Sequence, residues 1–276
     1  MPLIYDKLIS LGNYSFRVQC NSLQYDRITI SRTYKIGGTY EDCINIGYSY
    51  MNDTPIKAKL SHVLYEPECA QNRFLETGGG TEILIKTSLR NAYADIPSIT
   101  HFDFDDNSHI DCVAKNISSK PPRKAKKPLN LAFFYIAYHG KTWYEAVFNA
   151  KMKDPLKYSK YKAALGFLTD PKQKVLFIQF LQIISLEVDS EKIAYLENYY
   201  NKTSTYREFF ECIPKTKRCD LLSGWINIFM NYYIGSVYSD KEWYINVNTM
   251  DTPHVGGSLS RSLNYRMFSY KKMDML

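Results

Sequence analysis

Apolar and polar residues alternate over Ser15 to Cys20 (Ser-Phe-Arg-Val-Gln-Cys) and again over Arg27 to Ser31. A period of two belongs to strands with one buried face, and β-branched residues are dense throughout Tyr14 to Tyr65. Two more such runs, Cys43 to Tyr50 and Ile56 to Tyr65, flank Met51-Asn52-Asp53-Thr54-Pro55. Asn and Asp tolerate the backbone of a tight turn, so this segment predicts an antiparallel hairpin. Pro67 cannot donate to a ladder and stops the second strand. The period then changes. Ile83, Leu84, Thr87, Leu89 and Tyr93 fall near helical spacing after Gly78-Gly79-Gly80, with Thr81 as the expected cap, Glu82 in the first turn and Pro97 as the stop. Ile99 to Phe104 alternates as one half-buried strand and runs into Asp105-Asp106-Asn107. Leu129 to Phe148 is helical in pattern, with Gly140 as its point of kink or break.

Beyond Lys151 the pattern is helical nearly throughout. Tyr158 to Leu168, Lys174 to Leu186, Glu191 to Tyr200, Tyr206 to Cys212 and Cys219 to Tyr233 are separated by polar and proline punctuation. No repeat period links them, which argues against a solenoid. Trp243 begins a short strand-like stretch, and little pattern follows Gly256-Gly257. The chain therefore predicts an α+β domain over residues 1–150, followed by a helical appendage with a C-terminal tail over 151–276.

At 276 residues with 45% apolar and 15% aromatic content, the chain can bury a substantial core and is not of disordered type. The net charge of +7 concentrates in one place, Lys120-Pro-Pro-Arg123-Lys124-Ala-Lys126-Lys127-Pro128. Its prolines forbid a helix, so it reads as a solvated loop, with a phosphate-contacting or nuclear-targeting patch as the alternative and the one route to nucleic acid. Six cysteines form no C-x-x-C pair and no leader peptide is evident, so reduced thiols, a cytosol-like compartment and no metal site are expected. Four N-x-S/T triplets are then chance matches. The apolar run Val175 to Leu186 is too short to span a bilayer, and no membrane association is expected.

A glycine-rich turn between a strand and a helix exposes backbone N–H groups where the helix dipole is positive, an arrangement suited to a pyrophosphate. The order of strand, proline, glycine turn, helix, strand ending in Asn, and helix carrying tyrosines resembles the core of the GNAT superfamily of N-acetyltransferases over roughly residues 15 to 150. Gly-Gly-Thr at the helix start, Asp-Asn-Ser after the strand and Gly-Lys-Thr-Trp-Tyr-Glu later are similar to a GNAT-like group of large eukaryotic DNA viruses.

The resemblance implies a mixed sheet in which two parallel strands splay beside the loop and acetyl-CoA binds at the splayed edge. An amine would then attack the thioester directly. Gly78, Gly79, Gly80, Thr81 and Glu82 would hold the pyrophosphate, Asn107 would lie beside the pantetheine arm, and Tyr144 would be the acid for the departing thiolate, with Tyr138 as second choice. Glu66 is the first candidate base, and Glu68 and His62 lie nearby. Aligned on Gly80, the chain departs from the family's loop at Thr77, where Gln or Arg is usual, and at Glu82, where a small residue is usual; aligned on Gly78, the small residue is present as Gly80 and Leu75 takes the first position.

The implied function is therefore a degenerate GNAT fold acting as a virion or assembly interaction protein, in host cytoplasm or virion. Its partner surface would lie on the aromatic helical half (Tyr195, Tyr199, Tyr200, Phe209, Phe210, Trp225, Tyr232, Tyr233), unless those rings are simply a bundle core. An active acetyl-CoA-dependent acetyltransferase is the alternative. Two other motifs fail. His139-Gly140-Lys141-Thr142 lacks the earlier glycine of a phosphate-binding loop, Tyr135 standing there, and Asp103-Phe-Asp105 lacks the threonine that follows a phosphatase D-x-D.

Overall fold

A computed structural model describes residues 2–38, 42–76, 79–110, 129–184, 190–250 and 267–268. The basic loop and the end of the chain, apart from the short strand Met267–Phe268, lie outside them. In chain order the elements begin with β1 (Leu3–Leu11), β2 (Tyr14–Tyr25), β3 (Ile28–Ile36), β4 (Ile44–Met51), β5 (Thr54–Val63), α1 (Gly80–Asp95) and β6 (His101–Phe104). There follow β7 (His109–Ile110), β8 (Leu129–Asn130), α2 (Leu131–His139), α3 (Trp143–Phe148), β9 (Lys151–Met152), α4 (Pro155–Ala164), α5 (Phe177–Ile184), α6 (Ser190–Tyr200), α7 (Tyr206–Cys212), α8 (Arg218–Leu222), α9 (Ile226–Ile234) and β10 (Trp243–Asn246). The protein is thus mixed α+β. It forms two compact units, neither of them one run of chain: Met1–Asn107 with Tyr144–Lys153 and Asp240–Leu276, and Ser108–Trp143 with Asp154–Ser239.

The first unit is built on an eight-stranded sheet of order β1-β2-β3-β4-β5-β6-β10-β9. Every neighbouring pair is antiparallel except β5 and β6. Asn52 and Asp53 both take positive φ (50° and 60°) and close the expected β4–β5 hairpin, and Asp26 and Arg27 do the same between β2 and β3. One face of the sheet presents Phe16, Val18, Tyr34, Ile36, Ile44, Ile46, Tyr48, Ala58, Leu60, Phe102 and Trp243, all buried, and α1 supplies Leu84, Ile85 and Leu89 to the core. Each large side chain of that set contributes about 1.5–3 kcal/mol by leaving water. The opposite face is polar, and ion pairs cross it: Lys59 to Asp105 at 2.7 Å and Lys57 to Asp103 at 3.3 Å between the β5 and β6 sides, and Lys153, just past β9, to Asp103 at 2.6 Å. The D-x-D carboxylates are therefore partners of lysines.

The second unit is helical around an aromatic core. Phe180 meets Trp225 edge-on at 5.3 Å and Phe209 at 5.6 Å, and Phe229 packs against Tyr206 at 4.9 Å. Lys174 fixes the end of α6: its ammonium donates to the carbonyl of Tyr200 (2.7 Å), to that of Thr203 and to the Thr203 hydroxyl (2.8 Å). Among the described residues no helix is long and apolar enough to cross a membrane.

Several expectations need correction. The helix after the glycine turn starts at Gly80 with Gly79 at its cap position, so Thr81 lies inside it and makes no cap. The stretch Leu129 to Phe148 is two helices, because Gly140 adopts the left-handed conformation (φ 66°) and ends α2. The run Cys219 to Tyr233 likewise divides at Gly224 (φ 94°). Cys43 and Cys69 are not reduced thiols but a disulfide, 26 positions apart in sequence and 5.9 Å apart between Cα atoms, and Cys219 is disulfide-bonded as well. Cys20 and Cys212 are free.

Candidate functional site

The helix between β5 and β6 makes them a parallel pair, so the carboxyl ends of both strands and the amino end of α1 belong to one end of the sheet. Their ladder runs only from Ala58 opposite Phe102 to Leu60 opposite Phe104. β5 continues to Val63, with His62 opposite Asn45 and Val63 opposite Ile44 on the β4 side alone. Past Phe104 the other strand stays with the segment leading into β10, where the Asp106 N–H donates to the Asp240 carbonyl at 2.6 Å. The two strands therefore part at their carboxyl ends, beside the segment that leads into α1.

That segment is anchored at several points. The Cys43–Cys69 disulfide ties its start to β4. The Tyr65 hydroxyl donates to the Leu75 carbonyl at 2.8 Å from a buried position, and the Leu75 N–H donates to the Pro67 carbonyl at 2.8 Å. Thr77 and Gly78 lie outside the described residues. Gly79 is exposed, with open space where a side chain would stand. Gly80 is not: its N–H donates to the Glu76 carbonyl at 2.9 Å, and a Cβ there would lie 2.4 Å from Leu75 Cγ. The glycine at 80 thus serves the packing of a leucine, and its amide is engaged. Thr81 is buried, and the Glu82 carboxylate pairs with Lys86 one turn along the helix at 2.7 Å. A shallow groove beside the first turn, lined by Leu11, Gly12, Tyr14, Arg73, Glu76 and Ile83, is crossed by Arg73, which lies 5.2 Å over the Tyr14 ring and 3.4 Å from Glu76.

Tyr144 comes to the same end of the sheet but not into the open. It is 6% exposed, with its ring 4.5 Å from that of Phe104 and 6.0 Å from that of Phe148. Burial first, and then the Asp106 carboxylate, push its phenol well above the ordinary range. Tyr138 belongs to the second unit, where its ring packs against Phe134 (4.9 Å), Phe210 (6.0 Å) and the Arg218 guanidinium (3.8 Å). At Glu66 the backbone is engaged at the turn, its N–H donating to Cys69 Sγ (3.3 Å) and its carbonyl accepting from the Cys69 N–H (3.1 Å). Asn107 is exposed just past β6, its N–H donating to the Asp105 carbonyl at 3.1 Å.

The structure thus gathers the ends of β5 and β6, the first turn of α1 and Tyr144 in one unit. Sequence reasoning missed the Leu75 plug, the Tyr65 tether and the disulfide. The apolar Leu75 just before the glycines was the one available signal. Among the described residues no group of His, Cys, Asp and Glu could hold a metal ion. Fold and site together define an α+β protein with a large mixed sheet. Comparison with protein-family models, with curated proteins and with solved structures gives no match.

Proposed function

We propose that the chain is a GNAT-like protein that has lost catalysis and acts as an interaction or structural protein, of the kind a large DNA virus uses in its virion or its assembly. The observation that carries this reading is the enclosure of Tyr144, the acid that the resemblance assigns, behind Phe104 and Phe148. The engaged amide of Gly80 and the Leu75 side chain filling its Cβ space point the same way. Of the two expected locations, the disulfides favour the virion, since such bonds persist outside reducing cytosol.

The partner surface suggested by composition moves. Tyr200, Phe209, Phe210 and Trp225 are core, and of the helical aromatics Tyr195 and Tyr232 are the exposed ones. In the first unit, apolar side chains crowd the two hairpin ends, where Tyr25, Met51 and Ile56 are 73%, 63% and 53% exposed and Ile28 and Ile30 stand beside them. The Thr29 N–H donates to Asp53 Oδ1 at 2.7 Å and holds these ends side by side. Clustered exposed apolar groups mark interaction surfaces.

The separation of β5 from β6 favours a second reading, an acetyltransferase using acetyl-CoA. One experiment decides between the two. Thermal unfolding is recorded with a large excess of acetyl-CoA, with CoA alone and without ligand. Ligand at about a hundred times its dissociation constant would stabilise the fold by roughly 2.7 kcal/mol and raise the midpoint by several degrees. The proposal expects no change, and a clear rise would overturn it.

A further inference from the structure

The carboxyl end of α2 carries a concentration of cationic side chains that neither reading uses. Gly140 closes the helix by donating its N–H to the Ile136 carbonyl at 2.8 Å, leaving His139 and Lys141 on either side of the turn. Arg207 of α7 reaches over this glycine: its Nη2 lies 2.7 Å from the place a Gly140 Cβ would take, and donates to the Ile136 carbonyl at 3.4 Å. Arg218, at the start of α8, sets its guanidinium 3.8 Å over the ring of Tyr138, the neighbour of His139, and donates Nε to the Ile213 carbonyl at 3.2 Å. Among the described residues, none of Arg207, Arg218 and Lys141 is ion-paired with a carboxylate.

Arg207 is the anomaly. A guanidinium has five N–H donors, and withdrawing one from water is costly unless those donors are satisfied. The Arg207 side chain is half-buried, its Nε is buried with no hydrogen-bond partner, and its bond to Ile136 is long. The acidic side chain acting on it is Glu211, one turn along α7. Capping of α2 accounts for one Arg207 donor. It explains neither the remaining donors nor the gathering of Arg218 and Lys141 at the same turn.

We propose that this turn binds a phosphate-type anion, held by Arg207, Arg218 and Lys141 with His139 at the rim. The Nη donors of Arg207 and Arg218 left over from the bonds to Ile136 and Ile213 can serve phosphate oxygens, and the lysine adds a point charge. The negative end of the α2 dipole works against an anion here, and the cationic side chains have to outweigh it, Arg207 at the Ile136 carbonyl first among them. His139 supplies the reporter. Burial first, and then the charges of Arg207, Arg218 and Lys141, lower its pKa from 6.5 to about 4. A bound anion offsets those charges and raises it.

The test titrates the full chain with inorganic pyrophosphate, in parallel with inorganic phosphate and adenosine 5′-diphosphate, following the His139 ring by NMR and binding by calorimetry. Saturable one-site binding of at least one of these anions is expected, with the His139 pKa rising by about 1–3 units and the affinity falling with added salt. Losing a charge-assisted bond costs about 1.5–3 kcal/mol, so Lys141→Gln and Arg218→Gln should each weaken binding roughly tenfold or more. Lys141 has no structural bond to lose, so its variant keeps the fold and carries the result. Absence of saturation at millimolar anion, a His139 pKa that stays near 4, or unchanged affinity in both variants would overturn the proposal. The site belongs to the second unit and stands apart from the function proposed for the first. Repeating the acetyl-CoA melt on Arg218→Gln prevents a diphosphate bound here from passing as a cofactor.

Discussion

Gly80 sets two opposed effects against each other at a single atom. Within a helix alanine is better than glycine by up to about 1 kcal/mol. A Cβ at 80, however, would stand 2.4 Å from Leu75 Cγ, and overpacking of this kind costs about 1–3 kcal/mol. The clash should win, so Gly80→Ala is expected to destabilise the native chain. In a Leu75→Ala background the same change should become neutral or stabilising. A double-mutant cycle by urea denaturation reads the reversal, and equal effects in both backgrounds would show that Leu75 is not the cause. His139 gives a second prediction. Its folded pKa of about 4 lies below the ordinary 6.5, so the unfolded chain binds the proton more readily. The contribution of this residue is therefore full above pH 6.5 and declines as the pH falls toward 4. Denaturant midpoints across that window should lose part of their pH dependence in His139→Gln.

At the scale of elements, the disulfide binds the segment before α1 to β4 and closes a loop of 26 positions. Replacing both cysteines by serine should cost about 3.5 kcal/mol on the chain-entropy account, read as a lower denaturation midpoint with a somewhat steeper slope, since the chain without its crosslink exposes more surface when it unfolds. This bond was beyond the sequence, because cysteine spacing reports local pairs and here a hairpin brings two distant residues together. Local features were legible. Alternation located β2, β4, β5 and β6, and Asn52-Asp53 located a turn whose positive φ values those residues tolerate. β1 was missed for a physical reason: as an edge strand with most of Leu3 to Leu11 open to solvent, it has no buried face to impose a period of two. Long helical patterns were read without their breaks, since Gly140 and Gly224 could equally have been tolerated inside a helix. The glycine-rich turn was legible as a turn. Whether its amides faced solvent or other carbonyls depended on Glu76 and Leu75, whose roles are tertiary.

The molecule as a whole is organised by returns of the chain. The sheet of the first unit takes β1 to β6 from the first 104 residues, β9 from Lys151–Met152, and β10 from Trp243–Asn246, which lies between β6 and β9. Trp243 is wholly buried opposite Phe104. Removing residues from 240 onward should therefore leave β6 as an open edge and β9 without a neighbour. Loss of soluble, cooperatively unfolding protein is expected, measured by yield and circular dichroism. A truncated chain that melts like the intact one would show that β10 is dispensable.

The late arrival of β10 also sets a schedule for biosynthesis. Trp243 follows Phe104 by 139 positions, so at 5–20 residues per second a nascent chain waits roughly 7–28 s between the two. Throughout that interval β6 has a free hydrogen-bonding margin, the kind that templates pairing with other polypeptides. Newly made copies leaving one message in close succession would be at their most adhesive then, which makes the spacing of ribosomes and the presence of a chaperone on the nascent chain the determinants of how much of this protein reaches its native state.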